Sequence, residues 1–112
     1  MRNDLTYLKH INDSVNNIIN FSSGADRAEF DKNRMMVSAI IRELEIIGEA
    51  ANNVSSEFRE AHPEIPWRDM IDMRNVLIHE YFGVIVETVW ETCRKNIPEL
   101  AENVSKIISQ EK

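Results

Sequence analysis

The sequence predicts an all-α fold, a mostly up-and-down bundle of four or five helices, and three observations carry that prediction. Apolar residues recur at helical spacing through almost the whole chain. Only three glycines and three prolines interrupt the 112 residues, so long uninterrupted elements are expected. The content of 43% apolar and 29% charged residues is that of a globular domain and not of a disordered chain. The length fits one domain, residues 1–112, and no linker, repeat or low-complexity tract divides it.

The first helical stretch covers about residues 3–20 and places Leu5, Leu8, Ile11, Val15, Ile18 and Ile19 on one broad face. Residues 21–26 read as a loop in which Gly24 can take a positive φ, with Ser23, Asp26 or Asp31 available to cap the next helix. A long second helix is expected over residues 28–58, its stripe formed by Phe30, Val37, Ile40, Leu44, Ile47, Ala51 and Val54. Gly48 lies on that stripe, where a missing side chain lets another helix approach closely. A second apolar strip, Met35, Ala39, Ile46 and Ala50, exceeds what a monomeric bundle needs and implies a partner surface. The run His62-Pro63-Glu64-Ile65-Pro66 breaks the helix, and Pro66 suits the first turn of the next. That third helix covers residues 66–81 and stops near Gly83. A fourth begins near Val84 with Val86, Val89, Trp90, Cys93 and Ile97 on one face. Pro98 kinks or restarts it before Leu100, Val104, Ile107 and Ile108 continue the stripe.

Several function classes recede on composition. The net charge of −6 argues against a generic nucleic-acid binder, so any RNA contact must be local and built from a few residues in a cleft. No apolar run approaches a membrane span, no signal region follows Met1, and a single cysteine fits a reducing cytoplasm. A soluble cytoplasmic protein is therefore expected. Cys93 sits on an apolar stripe and reads as a small core residue, as do Trp67 and Trp90. His10 and His62 lack metal-ligand neighbours, Glu45 and Glu49 read as solvated or interfacial charge, and no glycine-rich phosphate loop is present. No metal and no cofactor are expected.

The third helix carries the one anomaly. Trp67, Met70, Ile71, Leu77, Ile78 and Tyr81 form its apolar arc, and Arg74 falls in the middle of that arc. A buried charge is costly, so Arg74 needs a partner or an open cleft. Asn75 and His79, four residues apart, share the flanking polar side. These groups suit RNA cleavage without a metal. An imidazole moves protons near neutrality, a guanidinium fork matches phosphate oxygens, and an amide can orient a hydroxyl or the imidazole. One histidine cannot easily act as both acid and base, which favours two sites opposed across a dimer. A plainer alternative pairs Arg74 with Glu43 or Glu49 and leaves His79 as a surface residue.

The run Arg74-Asn75-Val76-Leu77-Ile78-His79-Glu80-Tyr81 resembles the Arg-x4-His-x-Tyr motif of HepT-like toxins in the HEPN ribonuclease superfamily. Further blocks resemble the same family in the expected order: residues 42–50, the run from His62 to Trp67, and the tail around Trp90 and Pro98-Glu99-Leu100. The resemblance implies a HEPN fold, a homodimer with both motifs facing one cleft, and a toxin endoribonuclease acting on tRNA or mRNA. It implies as antitoxin partner an MntA-like minimal nucleotidyltransferase, as in type VII-like toxin–antitoxin pairs. Carried over by position, Arg74 and His79 are catalytic, Asn75 supports them, and Tyr81 is the tyrosine that receives AMP. Two rivals remain open from the sequence: a non-catalytic helical adaptor that binds or regulates a nucleotidyltransferase, and a plain dimerisation bundle.

Overall fold

Helix α3 (Arg34–Asn53) is the spine on which several of the other elements pack. The structure, a computed structural model, describes residues 2–79 and 82–110. Along the chain it contains α1 (Arg2–Ser22), α2 (Arg27–Lys32), α3, α4 (Ser56–Ala61), α5 (Trp67–His79), α6 (Phe82–Glu91), a π turn (Thr92–Asn96) and α7 (Ile97–Gln110). The expected all-α class holds. Helix α1 lies against both α3 and α7, and α5 covers another side of α3. Leu8, Ile11, Val15 and Ile18 of α1 meet Val37, Ile40, Leu44 and Ile47 of α3 and Leu100, Val104 and Ile107 of α7 in one buried core. Ile19, expected on that face, is 38% exposed instead.

The long second helix is three helices. Asp26 accepts from the Glu29 N–H while the Glu29 carboxylate accepts from the Asp26 N–H, a reciprocal capping box that starts α2. Asn33 then leaves helical geometry at φ −98°, ψ 82°, and its side chain accepts from the Met36 N–H to open α3. A second break falls at Val54, after which the Ser55 hydroxyl accepts from the Phe58 N–H and caps α4. Short polar side chains offer the backbone local partners, and at Asn33 and Ser55 those partners win over continuing the helix.

Ser55 also ties the bundle together. Its N–H and hydroxyl both donate to the carboxylate of Asp4, at 2.8 and 2.7 Å. The start of α1 thus meets the residue just past α3, which makes these two helices antiparallel. Burial pushes the Asp4 carboxyl up, but the two Ser55 hydrogen bonds, joined by the amino terminus, hold the group below its ordinary 3.8. A depressed carboxylate adds stability that is complete above its unfolded pKa and is lost as pH falls through the folded value. Ser55→Ala is therefore expected to cost about 1 kcal/mol or more at neutral pH, from the lost cap and the lost donor. Urea unfolding at pH 7 and near pH 3 checks this. The penalty should shrink toward the acid end, as pH falls through the depressed folded value and Asp4 takes up its proton.

At the other end, Pro98 has no N–H to give the carbonyl of residue 94, and its ring would crowd that carbonyl in a regular helix. The π turn resolves this. The Ile97 N–H reaches back to the Thr92 carbonyl, widening the helix just ahead of the proline. Regular α-helix resumes at Ile97, next to Pro98, and the stripe passes through Cys93, Ile97 and Leu100 into α7. Arg94, in the wide turn, lies 4.2 Å from the centre of the Trp90 ring and donates to the carbonyl of Ala25. Trp90 in turn stands edge-on to Phe30, ring centres 5.1 Å apart. Burial raises the Cys93 thiol to about 11, with Arg94 opposing weakly, so it is a core group as expected.

Candidate active site

Helix α5 owes its start to the segment before it. Ile65 is buried, Pro66 accepts from the Met70 N–H at 3.1 Å, and the Trp67 indole N–H donates to the His62 carbonyl at 3.0 Å. Phe58 of α4 packs against both the His62 and Trp67 rings. With its origin fixed, every later residue of α5 has a set height and direction at 3.6 residues per turn. Pro66 sits at the cap, one residue before the first turn that its chemistry predicts for it.

Arg74 falls two turns into α5 and is half-buried. Its stem lies on Gly48 of α3: a Cβ added there would meet Arg74 Cβ at 2.7 Å, the Met70 carbonyl at 2.8 Å and Arg74 Cδ at 3.5 Å. The close helix approach expected at Gly48 is thus present, and α5 makes it. Neither Glu43 nor Glu49 closes an ion pair with Arg74; among the described residues Glu45 pairs with Arg42, at 3.6 Å. The plainer alternative for Arg74 therefore loses its partner. The aliphatic stem lies against α3, as apolar stems of long cationic side chains commonly do.

Asn75, the next residue, is exposed, and His79 ends α5. Positions 74 and 79 differ by about 140° around the helix and about 7.5 Å along it. Positions 75 and 79, one turn apart, fall on the same side of the helix, and the His79 side chain lies outside what the structure describes. Tyr81 falls outside the described residues, and Gly83 belongs to the first turn of α6. Ile78, expected on the buried arc, is 53% exposed beside the motif. Of the second strip on α3, Ala50 is part of the core, and Met35 is 83% exposed.

A cleft of about 360 Å³ opens between α3, α5, the π turn and α7, lined by Leu44, Ile47, Met70, Met73, Val76 and Leu100 among others. It lies on the flank of α5 away from Asn75. Asp69 and Asp72 are its charged residues, and it offers no cation to a phosphate. Neither Arg74 nor Asn75 lines it. Among the described residues no three His, Cys, Asp or Glu side chains converge as metal ligands, and no helix is long and apolar enough to cross a membrane.

The profile of the Ribonuclease HepT-like family matches residues 11–107, a span that includes Gly48, Arg74 and His79. The chain belongs to the HepT-like ribonuclease family. It is similar to a Putative RNase of Caldanaerobacter subterraneus subsp. tengcongensis, 43% identical over the full length of both chains. It is also similar to Probable ribonuclease HepT of Thermococcus cleftensis, 41% identical over 95% of this chain and 96% of that one. A third relative, Gamma-glutamylcyclotransferase and putative RNase of Methanocaldococcus jannaschii, is 40% identical over 98% of this chain but only 50% of its own. In that relative the matching region is half of a longer protein. No solved structure matches the chain significantly.

Proposed function

We propose that this HepT-like chain is a metal-independent endoribonuclease and the toxin of a type VII-like pair. The observation that carries the reading is Arg74, a half-buried arginine seated on α3 with no carboxylate partner among the described residues. It stands one turn and a half before His79 in a chain of this family. A substrate 2′-hydroxyl attacks the adjacent phosphorus, the 5′-oxygen leaves, and a 2′,3′-cyclic phosphate remains. Arg74 stabilises charge on the phosphoryl oxygens, His79 moves the proton, and Asn75 orients the reacting groups.

Positions 74 and 79 diverge around α5, so one copy does not readily aim both at a single phosphate. A homodimer that opposes two motifs supplies an acid from one copy and a base from the other. Exposed Ile78 and Val76 beside the motif, and Met35 on α3, are apolar surface for such a contact. Control is assigned to an MntA-like nucleotidyltransferase. The Tyr81 phenol attacks the α-phosphorus of ATP, pyrophosphate leaves, and the attached AMP sets a phosphate's negative charge beside the cleft. That charge repels RNA and competes for Arg74.

The test is cleavage of end-labelled tRNA by the purified protein in EDTA. We expect cutting to persist in EDTA, to end in a cyclic phosphate, and to stop when the attacking 2′-hydroxyl is replaced by hydrogen. Light scattering on the same sample should give about twice the 13.0 kDa chain mass. Loss of cutting in EDTA that Mg²⁺ restores would overturn the mechanism, and a clean monomer that still cuts would overturn the composite site.

A further inference from the structure

Gly48 has no conformational reason to be glycine. It lies inside α3, where glycine is the least favourable residue short of proline, and the only positive φ among the described glycines belongs to Gly24. Space is the reason. The two closest contacts of an added Cβ, at 2.7 and 2.8 Å, are to Arg74 Cβ and to the backbone carbonyl of Met70. Neither atom can swing aside as a side-chain tip would, so relief requires α5 itself to move by roughly 1 Å, the shortfall from ordinary carbon contact distances. Met70 and Arg74 are one turn apart on α5, so Gly48 sets the height of that helix as well as its spacing. The third contact, Arg74 Cδ at 3.5 Å, shows the arginine stem lying along the same notch.

We propose that Gly48 is a positioning residue for Arg74: the notch in α3 seats the arginine stem and so sets where the guanidinium meets the scissile phosphate. This rests on the ribonuclease reading. A catalytic group displaced by about 1 Å typically loses about 100-fold in rate. A residue needed only for packing would lower stability and leave the chemical step of the folded fraction unchanged.

The experiment compares kcat and KM of Gly48→Ala, Arg74→Ala and the double variant on end-labelled tRNA. Ile40→Val, a core change on α3 away from Arg74, is the control for lost stability. Gly48→Ala should lose about 100-fold in kcat with KM within a few-fold, Ile40→Val should keep its rate, and adding Gly48→Ala to Arg74→Ala should cost nothing further. Full activity of folded Gly48→Ala, or a loss that multiplies fully with that of Arg74→Ala, overturns the proposal.

A second measurement needs no variant and no cleavage. With ¹⁵N-labelled arginine, the Arg74 Nε–H in the wild-type protein should be markedly more ordered than that of Arg42, whose side chain is 71% exposed. Equal mobility overturns the seat even if Gly48→Ala fails to fold. If the wild-type protein cuts no RNA while Arg74 is ordered, the ribonuclease reading has failed and the seat stands.

Discussion

His79→Ala and Arg74→Ala should each lower RNA cleavage at least about 100-fold, the ordinary loss when a positioned proton-transfer group or a phosphate-binding cation is removed. Both should fold. Alanine at 74 keeps the Cβ that rests against Gly48 and removes only the half-buried stem and its charge, so the α3–α5 contact survives. His79 ends α5, and alanine there is a better helix former that leaves the core residues Leu77 and Met70 in place. Helical circular dichroism and melting temperature should stay close to wild type while the cleavage rate falls. Lysine at 74 keeps the charge but loses the planar fork, and should recover little of the rate. If folded His79→Ala still arrests growth, the helical-adaptor reading replaces the enzyme.

The largest expected effect on stability belongs to Phe30→Ala. Phe30 is fully buried on α2, a helix of only six residues that could not persist in isolation. The ring meets Trp90 edge to face and belongs to the same core as α3. Its removal should cost about 3–5 kcal/mol, from lost burial and the cavity left behind. For a domain of this size, a loss of that order lowers the melting temperature by well over 10 °C. A loss below about 1 kcal/mol in urea titration would mean that α2 is held by its capping box and not by Phe30.

Much of this molecule is legible in the sequence because its helices bury one stripe each. Most of the faces of α1, α5 and α7, with Ile19 and Ile78 as exceptions, follow from periodicity, as do the close approach at Gly48 and the core placement of Cys93. The stretch from Ala28 to Phe58 reads as one helix for a physical reason. Phe30 and Val37 keep helical phase across Asn33, and Val54 and Phe58 across Ser55, while the breaks come from side-chain hydrogen bonds that leave no trace in an apolar pattern. Arg74 stands out on the wheel, yet the sequence offers Glu43 and Glu49 as partners, since both lie on the helix that α5 covers. Only the packing of Arg74 on Gly48 shows that the stem is covered by backbone and not by a carboxylate. The wheel places Ala50 on a partner surface because it cannot reveal how many neighbours α3 has.

The division of that expected long rod into α2, α3 and α4 also changes how the protein can tolerate variation. A single continuous rod would carry any twist or length change at one end through to the other. Here Asn33 and Ser55 act as joints. The aromatic cluster of Phe30, Trp90 and Arg94 is attached on one side of them, and the Phe58–His62–Trp67 anchor of α5 on the other. Substitutions that repack one cluster need not retune the other, so the far end of the bundle can drift in sequence while the register of Arg74 is kept.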